Sequence, residues 1–213
     1  MTRLVLIRHG QSEANLRAVF AGHTNAPLTE MGEKQAALTA AYICSKYQVD
    51  EVYASDLLRA FHTGKAVADQ LGLQTVPDQA LREIYAGAWE NRPFQELIDK
   101  KDKNYETWRF DIGKATCTDG ESVAELQLRI VAELKKIAED QQGKTVVIAT
   151  HATPIRVFQC HCEGKPIQDL REISWVSNAS VTEAVYEDGR FTLQEVGHDA
   201  HLGELRSVLP KNV

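Results

Sequence analysis

The 213-residue sequence has no long hydrophobic run and no excess of basic residues. The longest apolar run near its start, Leu4–Ile7, is bounded by Arg3 and Arg8 and is too short for a signal peptide or a membrane span. We therefore expect a cytoplasmic protein without a membrane partner. The 24 Lys and Arg residues against 30 Asp and Glu residues give a formal net charge of −6, so the overall charge does not favour a nucleic-acid partner.

Cysteine is scarce as well, with four residues in the chain. Cys44 and Cys117 stand alone, while Cys160 and Cys162 flank His161. A disulfide framework is not expected in a chain of this length without an export signal. No second Cys or His pair lies at zinc-site spacing, and consecutive helical residues point in different directions. The sequence therefore predicts half-buried thiols near a helix end and no metal site.

The sequence also lacks internal repeats, low-complexity tracts and Pro/Gly/Ser linkers. Hydrophobic residues make up 43% and charged residues 25%, which is typical of a soluble globular protein and excludes a disordered chain. The length suits one domain, or one domain with an inserted cap. We expect a single domain over residues 1–213 and leave open whether it forms a homodimer.

Predicted strands and helices alternate along most of the chain. Apolar runs predict strands at 4–7, 49–54 and 145–149, and a hairpin of 181–186 and 191–196 around Asp188-Gly189. Apolar spacing and capping residues predict helices at 29–43, 56–71, 122–139 and from about 154. This alternation predicts an α/β fold with a mostly parallel sheet covered by helices on both faces.

Ligands in such folds bind beyond the carboxyl ends of the strands, so the residues after Ile7 and Ala149 are the first candidates for chemistry. Both places hold a histidine, His9 and His151. A lone histidine is more often structural than catalytic, but two at two strand ends of one sheet favour a shared site. Gly10 strengthens this interpretation because a residue without Cβ lets the backbone approach a ligand closely.

The segment RHGQSEAN at 8–15 resembles the signature of the histidine phosphatase superfamily, in the branch that contains cofactor-dependent phosphoglycerate mutases and small phosphatases. Further segments match the family in the same order along almost the whole chain. They are LTEMGEKQA at 28–36, SDLLRAFHT at 55–63, LRE at 81–83, GAWE at 87–90, GES at 120–122 and HATPIR at 151–156.

The resemblance implies a role for each matching residue around the phosphate. His9 would be the nucleophile that accepts the phosphoryl group on a ring nitrogen. Arg8 and Arg59 would hold the non-bridging phosphate oxygens with their planar donors. His151 would be a further donor to the transferring group.

Three more residues carry implied roles beside the phosphate. Glu83 would protonate the leaving oxygen and then activate the hydrolytic water. Asn15 would contact the phosphate or nearby substrate oxygens. Ala152 stands where the family commonly has glycine and is small enough to let backbone approach the substrate. The two arginines and His151 supply the charge that a divalent ion would otherwise provide, so the resemblance implies neither a metal nor a cofactor.

The same residues serve phosphatases and mutases, so the flanking sequence must distinguish them. The short stretch between Glu83 and His151 looks like that of phosphatase-type members. We therefore expect a phosphatase that hydrolyses small phosphomonoesters through a phosphohistidine, with a small phosphorylated metabolite as substrate. A cofactor-dependent phosphoglycerate mutase is the first alternative. A non-catalytic scaffold that binds phosphorylated ligands is another, although no implied catalytic residue is missing.

The segment at about 90–118 is expected to form a cap over the site. It holds four aromatic residues among lysines: Phe94, Tyr105, Trp108 and Phe110. In one interpretation the aromatics only pack the cap; in the other, one or two of them line the leaving-group pocket. For His198 and His201, near the C-terminus, we expect a packing or capping role.

Overall fold

The computed structural model describes residues 1–207, which contain one six-stranded sheet. The strand order is β3-β2-β4-β1-β5-β6. The first four strands along the chain run parallel, and the last two form an antiparallel hairpin at one edge. The strands are β1 (Thr2–Arg8), β2 (Glu51–Ser55), β3 (Thr75–Asp78), β4 (Thr145–Thr150), β5 (Val181–Glu187) and β6 (Arg190–His198).

Helices surround this sheet, which confirms the predicted α/β fold. They are α1 (Glu13–Leu16), α2 (Glu30–Lys46), α3 (Leu58–Leu71), α4 (Phe94–Asp99), α5 (Lys103–Phe110), α6 (Val123–Asp140) and α7 (Ala152–Cys162). No helix in the described part of the chain is both long and apolar enough to cross a membrane.

Two of the differences from the sequence prediction have identifiable reasons. Helix α7 begins at Ala152 rather than near Pro154. Proline is tolerated in the first turn of a helix because an N–H there has no intrahelical acceptor, so Pro154 does not delay the start. Strand β3 was not predicted; it is short, lies at the sheet edge and contains Pro77, which only an edge strand accepts readily.

The central strand β1 separates two hydrophobic cores. Leu4 and Leu6 belong to the core that includes side chains of α6 and α7, whereas Val5 and Ile7 belong to the core that includes side chains of α2 and α3. All four residues are fully buried. Side chains alternate between the two faces of a strand, so a continuous apolar run is what a strand covered on both faces requires.

Helix α3 packs unusually close to the sheet through Gly64. A Cβ at Gly64 would lie 3.0 Å from the Cβ of Ala149 and 3.1 Å from the Cβ of Ala54. The close approach explains a glycine in a helix interior, where it costs about 1 kcal/mol relative to alanine. Arg59 lies in the first turn of the same helix.

Helices α4 and α5 lie within the segment predicted to form the cap. An aromatic cluster around Phe20 anchors this segment, with ring centroids 5.1 Å from Trp108, 5.4 Å from Trp89 and 6.0 Å from Phe94. The cluster forms one wall above the carboxyl ends of the parallel strands.

Candidate active site

The two histidines that follow β1 and β4 meet at one edge of the sheet. The two strands are parallel neighbours, and Arg8 pairs in register with Thr150. The residues that directly follow the two strands, His9 and His151, therefore lie side by side at the carboxyl edge of the sheet. The ring centroids of His9 and His151 are 5.2 Å apart, with 65° between the ring planes.

His9 is held as a neutral ring with one free nitrogen. Its Nδ1 lies 2.7 Å from the carbonyl oxygen of Gly10, which can only accept, so Nδ1 carries the proton and Nε2 carries the lone pair. The side chain is buried, and burial together with Arg59 and Arg8 holds the pKa of His9 well below its usual value. A neutral imidazole with an unprotonated Nε2 is ready to act as a nucleophile.

Gly10 supports this arrangement in a different way from the one expected. A Cβ at Gly10 would collide with the carbonyl oxygen of Gly32, near the start of α2. The missing side chain therefore admits a neighbouring backbone rather than a ligand. The Gly10 N–H also donates to the Thr63 hydroxyl at 3.1 Å. These contacts fix the turn that aims the His9 ring.

Arg8 and Arg59 place two fixed guanidinium groups beside His9. Arg59 donates to the carbonyls of Thr24 at 2.8 Å and Gly22 at 2.7 Å, and Arg8 donates to the carbonyl of Val176. In residues 1–207, the Nε atom of each arginine is buried without a hydrogen-bond partner. Burial lowers the pKa of each arginine to about 10, so both remain charged at neutral pH. Buried cationic donors without partners favour an anionic ligand.

His151 is fully buried behind the site and has one nitrogen in use. Its Nε2 lies 2.8 Å from the Ser55 hydroxyl, and its Nδ1 has no partner within the described residues. Burial, Arg59 and His9 hold the pKa of His151 well below its usual value, so the ring is neutral. When the Ser55 hydroxyl donates to Nε2, the ring proton stays on Nδ1, where it is available as a donor.

Glu83 and Ala152 come together at the N-terminus of α7. The Glu83 carboxylate accepts the N–H of Ile84 at 2.9 Å and the N–H of Thr153 at 3.3 Å. Ala152 is the first residue of the helix, and the Thr153 N–H, which has no acceptor within the helix, donates to Glu83 instead. The carboxylate therefore has a defined orientation within the site.

Asn15 is oriented by its amide oxygen, which accepts the N–H of Ser12 at 3.0 Å and lies 3.3 Å from the Nδ2 atom of Asn178. Within residues 1–207, its own amide nitrogen has no partner among the side-chain hydrogen bonds. That nitrogen is the part of Asn15 that is available to donate to a ligand.

These residues surround a cavity of about 480 Å³. Six of the seven predicted site residues line it, namely Arg8, His9, Asn15, Arg59, Glu83 and Ala152. His151 is not a lining residue; it contacts the site through the His9 ring. Phe94 and Trp108, from the segment expected to form the cap, also line the cavity, so these two aromatics are placed to border a bound ligand. Tyr105 is buried in the aromatic cluster, and Phe110 is 67% exposed.

Sequence reasoning missed several lining residues, including Asn178, Trp175 and Arg206. Asn178 donates to the carbonyl of His9 at 3.0 Å. It lies just before β5, whose first residue, Val181, pairs with Ile7 at the end of β1. A prediction that β5 is antiparallel to β1 would have found Asn178. No signal in the sequence indicated Arg206.

The other clusters considered in the sequence lie outside the cavity. His198 and His201 stack on Tyr42, with centroids 4.7 and 4.6 Å away, in agreement with a packing role. Cys160 is completely buried rather than half-buried, and Cys162 is partly exposed at the end of α7. In residues 1–207, no group of three or more His, Cys, Asp or Glu side chains is placed to hold a metal ion.

Comparison with known proteins gives a consistent assignment. Phosphoserine phosphatase 1 from Hydrogenobacter thermophilus is 28% identical over 204 residues, which cover 96% of each chain. A probable phosphoglycerate mutase from Yersinia enterocolitica is 30% identical over 211 residues, which cover 95% of each chain. A mutant phosphoserine phosphatase from Entamoeba histolytica, solved with phosphoserine, has a TM-score of 0.82 at 27% identity and covers 95% of this chain and 100% of that one.

A family model for the histidine phosphatase superfamily (branch 1) matches residues 4–199. The match includes every residue predicted for the site, and the TM-score of 0.82 shows that the chain shares the fold of the Entamoeba histolytica phosphatase. This chain belongs to branch 1 of the histidine phosphatase superfamily.

Proposed function

We propose that this phosphatase hydrolyses small phosphomonoesters through a phosphohistidine formed on His9. The observation that carries the proposal is a neutral, buried His9, with its Nε2 unprotonated, beside the charged Arg8 and Arg59. A nucleophilic nitrogen next to two fixed cationic donors suits attack on a phosphate group.

In the first half of the reaction, Arg8 and Arg59 hold the non-bridging oxygens of the phosphate. The Nε2 lone pair of His9 attacks phosphorus as the bond to the alcohol oxygen breaks. Glu83, entering this step as the carboxylic acid, gives its proton to that oxygen, so the alcohol leaves neutral. His151 stabilises the charge on the transferring group, and Asn15 and the backbone at Ala152 contact the substrate.

In the second half, the Glu83 carboxylate accepts a proton from water. The resulting nucleophile attacks phosphorus, and the bond between phosphorus and Nε2 breaks. Inorganic phosphate leaves, while Glu83 is again the acid and His9 is again neutral. The cycle consumes one water molecule and needs no cofactor.

Phosphoglycerate mutase activity is the second candidate, favoured by the similarity to a probable mutase. In a mutase the phosphohistidine passes its phosphoryl group to a second phosphoglycerate rather than to water. A mutase must retain a bisphosphorylated intermediate, which favours a strongly basic pocket. The cavity favours the phosphatase instead, because apolar residues such as Phe94 and Trp108 form part of its wall. A non-catalytic scaffold is disfavoured because the nucleophile, the acid and both arginines are present together.

Domain organisation, cellular location and oligomeric state complete the proposal. We infer a single domain whose cap is the segment at about 90–118, supported by the contribution of Phe94 and Trp108 to the cavity wall. All four cysteines are free thiols, which supports a cytoplasmic location. A homodimer stays a prediction from the sequence.

Trapping the phosphoenzyme tests the mechanism. Wild type, His9→Gln and the matched control His201→Gln are mixed with a phosphomonoester and quenched within one turnover. We expect an acid-labile, base-stable phosphorylated protein in wild type and in the control, and none in His9→Gln. Labelling that persists in His9→Gln would overturn the assignment of the nucleophile. Transfer of the trapped group to 3-phosphoglycerate in preference to water would support the mutase.

A further inference from the structure

The cavity contains a third arginine that the proposed reaction does not use. Arg206, close to the end of the described chain, lines the cavity together with Arg8 and Arg59. These three are the only lysine or arginine side chains among the lining residues within 1–207. In the proposed reaction Arg8 and Arg59 hold the phosphate, so Arg206 is a cationic side chain of the cavity that has no role in that reaction.

Arg206 is held at the cavity by contacts on one side of its guanidinium group. Its Nε donates to the carbonyl of Asp199 at 3.2 Å and lies 3.5 Å from the Asp199 carboxylate. That carboxylate is itself fixed by the Ser177 hydroxyl at 2.8 Å. These contacts orient the side chain and use only its Nε atom.

The backbone around Arg206 is tied to the catalytic segment through a buried glutamine. The amide nitrogen of Gln35 donates to the carbonyl of Leu205 at 2.7 Å and to the Ser207 hydroxyl at 3.1 Å. The amide oxygen of Gln35 accepts the N–H of Gln11 at 2.8 Å. Gln35 is completely buried, so it couples the position of Arg206 to the segment that carries His9.

Both terminal nitrogens of Arg206 are left for a ligand. Neither donates a hydrogen bond to residues 1–207, and the side chain is 49% exposed. Two parallel N–H donors of a guanidinium group match the two oxygens of a carboxylate. Among residues 1–207, the only carboxylate that lines the cavity is that of Glu83, which accepts the backbone N–H groups of Ile84 and Thr153.

We propose that Arg206 binds a carboxylate on the alcohol part of the substrate, so that the preferred substrates are phosphomonoesters of hydroxy acids. The phosphate lies on Arg8 and Arg59, and the carboxylate lies on the terminal nitrogens of Arg206. Trp175, which lines the cavity and stacks on Arg156 with the guanidinium carbon 4.2 Å from the ring centroid, provides a firm surface beside the alcohol part. This inference rests on the proposed function and adds the substrate class to it.

Matched substrate pairs test the inference directly. Phosphoserine and phosphoethanolamine differ by one carboxylate, and 3-phosphoglycerate and glycerol 3-phosphate differ by a carboxylate in place of a hydroxymethyl group. We measure kcat/KM for all four with wild type, Arg206→Gln, Arg206→Lys and the control Arg171→Gln, which removes the same charge from an exposed residue outside the cavity. p-Nitrophenyl phosphate reports the activity of the phosphate site alone.

We expect Arg206→Gln to lower kcat/KM for the carboxylate member of each pair by about tenfold or more, as for loss of a hydrogen-bonded charge pair. The other member of each pair, and p-nitrophenyl phosphate, are expected to change by about twofold or less. Arg206→Lys should retain the charge and part of the preference for the carboxylate member of each pair, and Arg171→Gln should retain all of that preference. High salt should reduce the preference in wild type.

Equal losses for both members of a pair, or no loss for the carboxylate member, would overturn the inference. So would a wild-type enzyme that hydrolyses phosphoethanolamine as well as phosphoserine and glycerol 3-phosphate as well as 3-phosphoglycerate. Failure of the proposed function is distinguishable, because it would abolish turnover of p-nitrophenyl phosphate by wild type as well.

Discussion

The molecule contains two pairs of neighbouring histidine rings, and only one of them lies in the active site. The rings of His9 and His151 are 5.2 Å apart and those of His198 and His201 are 5.5 Å apart. The first pair meets edge to face at 65°, whereas the second is stacked at 12° with Tyr42 against both rings. Residue type and distance therefore do not separate the two pairs.

The surroundings do separate them. The first pair is buried beside two arginine side chains and a cavity. In the second pair, the Nδ1 of His198 lies 2.9 Å from the Glu195 carboxylate, and the Nε2 of His201 lies 2.9 Å from the Thr39 hydroxyl. The Nδ1 atoms of His151 and His201 are both buried without a partner in residues 1–207. Of these two, only His151 is next to a ring, that of His9, which lines a cavity containing fixed arginine side chains. This setting favours a catalytic role for the first pair and a packing role for the second.

The largest expected effect concerns the carboxylate that accompanies each pair, Glu83 in the site and Glu195 at the surface. Glu83→Gln removes the proton donor, so phosphorylation should slow by about 10²- to 10⁴-fold for alkyl phosphates, whose alcohols are poor leaving groups. The loss should be far smaller for p-nitrophenyl phosphate, because p-nitrophenolate departs without a proton. Single-turnover phosphorylation with both substrates measures this step apart from the later hydrolysis.

Glu195→Gln is the matched control, since it changes the same group beside the other pair. Its ion pairs with Lys46 and His198 are partly exposed, and Glu195 does not line the cavity, so we expect phosphorylation rates like those of wild type. Equal losses in Glu83→Gln with both substrate types would mean that Glu83 positions the substrate and that another group donates the proton.

The second prediction compares the histidines that are not nucleophiles. His151→Gln should lower kcat by about 10²- to 10³-fold, the usual cost of removing one donor to a developing charge. His198→Gln should leave kcat within about twofold of wild type, as for a substitution away from the site. Steady-state turnover of p-nitrophenyl phosphate measures both, with near-ultraviolet circular dichroism as the check on folding. A His151→Gln enzyme of normal kcat would remove the distinction between the two pairs.

The positions of His9 and His151 could be predicted from the sequence because they depend only on where two parallel strands end. Once β1 and β4 are read as parallel strands of one sheet, His9 and His151 must lie at the same edge. Arg59 and Glu83 needed the resemblance to a known family. Their positions depend on helix α3 and on the N-terminus of α7, which local patterns place only approximately.

The rest of the site depends on contacts between residues distant in sequence. Asn178 reaches the site because β5 pairs antiparallel with β1, and Arg206 reaches it because Gln35 holds the chain at Leu205 and Ser207. Neither contact leaves a periodic pattern or a capping signal. Gly10 was expected to let backbone approach a ligand, but the reason for a glycine there is the carbonyl of Gly32, a packing contact that only the fold reveals.

The smallest expected effect is on stability in acid, where the two pairs should again differ. Burial is the main cause of the lowered pKa of both His9 and His201, and the pKa of His9, which is the more deeply buried, lies well below its usual value. Below about pH 6.5 a histidine in the unfolded chain takes up a proton, whereas buried His9 stays neutral in the folded protein. The unfolded state then binds more protons, so the free energy of unfolding falls as the pH falls, by up to about 1.4 kcal/mol per pH unit for this residue.

Above about pH 6.5 both states are neutral at this position and the contribution of His9 does not change with pH. His9→Gln should therefore make the acid slope between about pH 6.5 and 5 shallower than in wild type, and His201→Gln should change it less. Urea unfolding at half-unit pH steps measures the slope independently of any constant offset that the substitution causes. A slope that is unchanged in His9→Gln would mean that His9 takes up its proton in the folded protein. A neutral nucleophile would then predominate only above about pH 6.5, and burial beside Arg8 and Arg59 would not be enough to keep the free enzyme in its reactive form in acid.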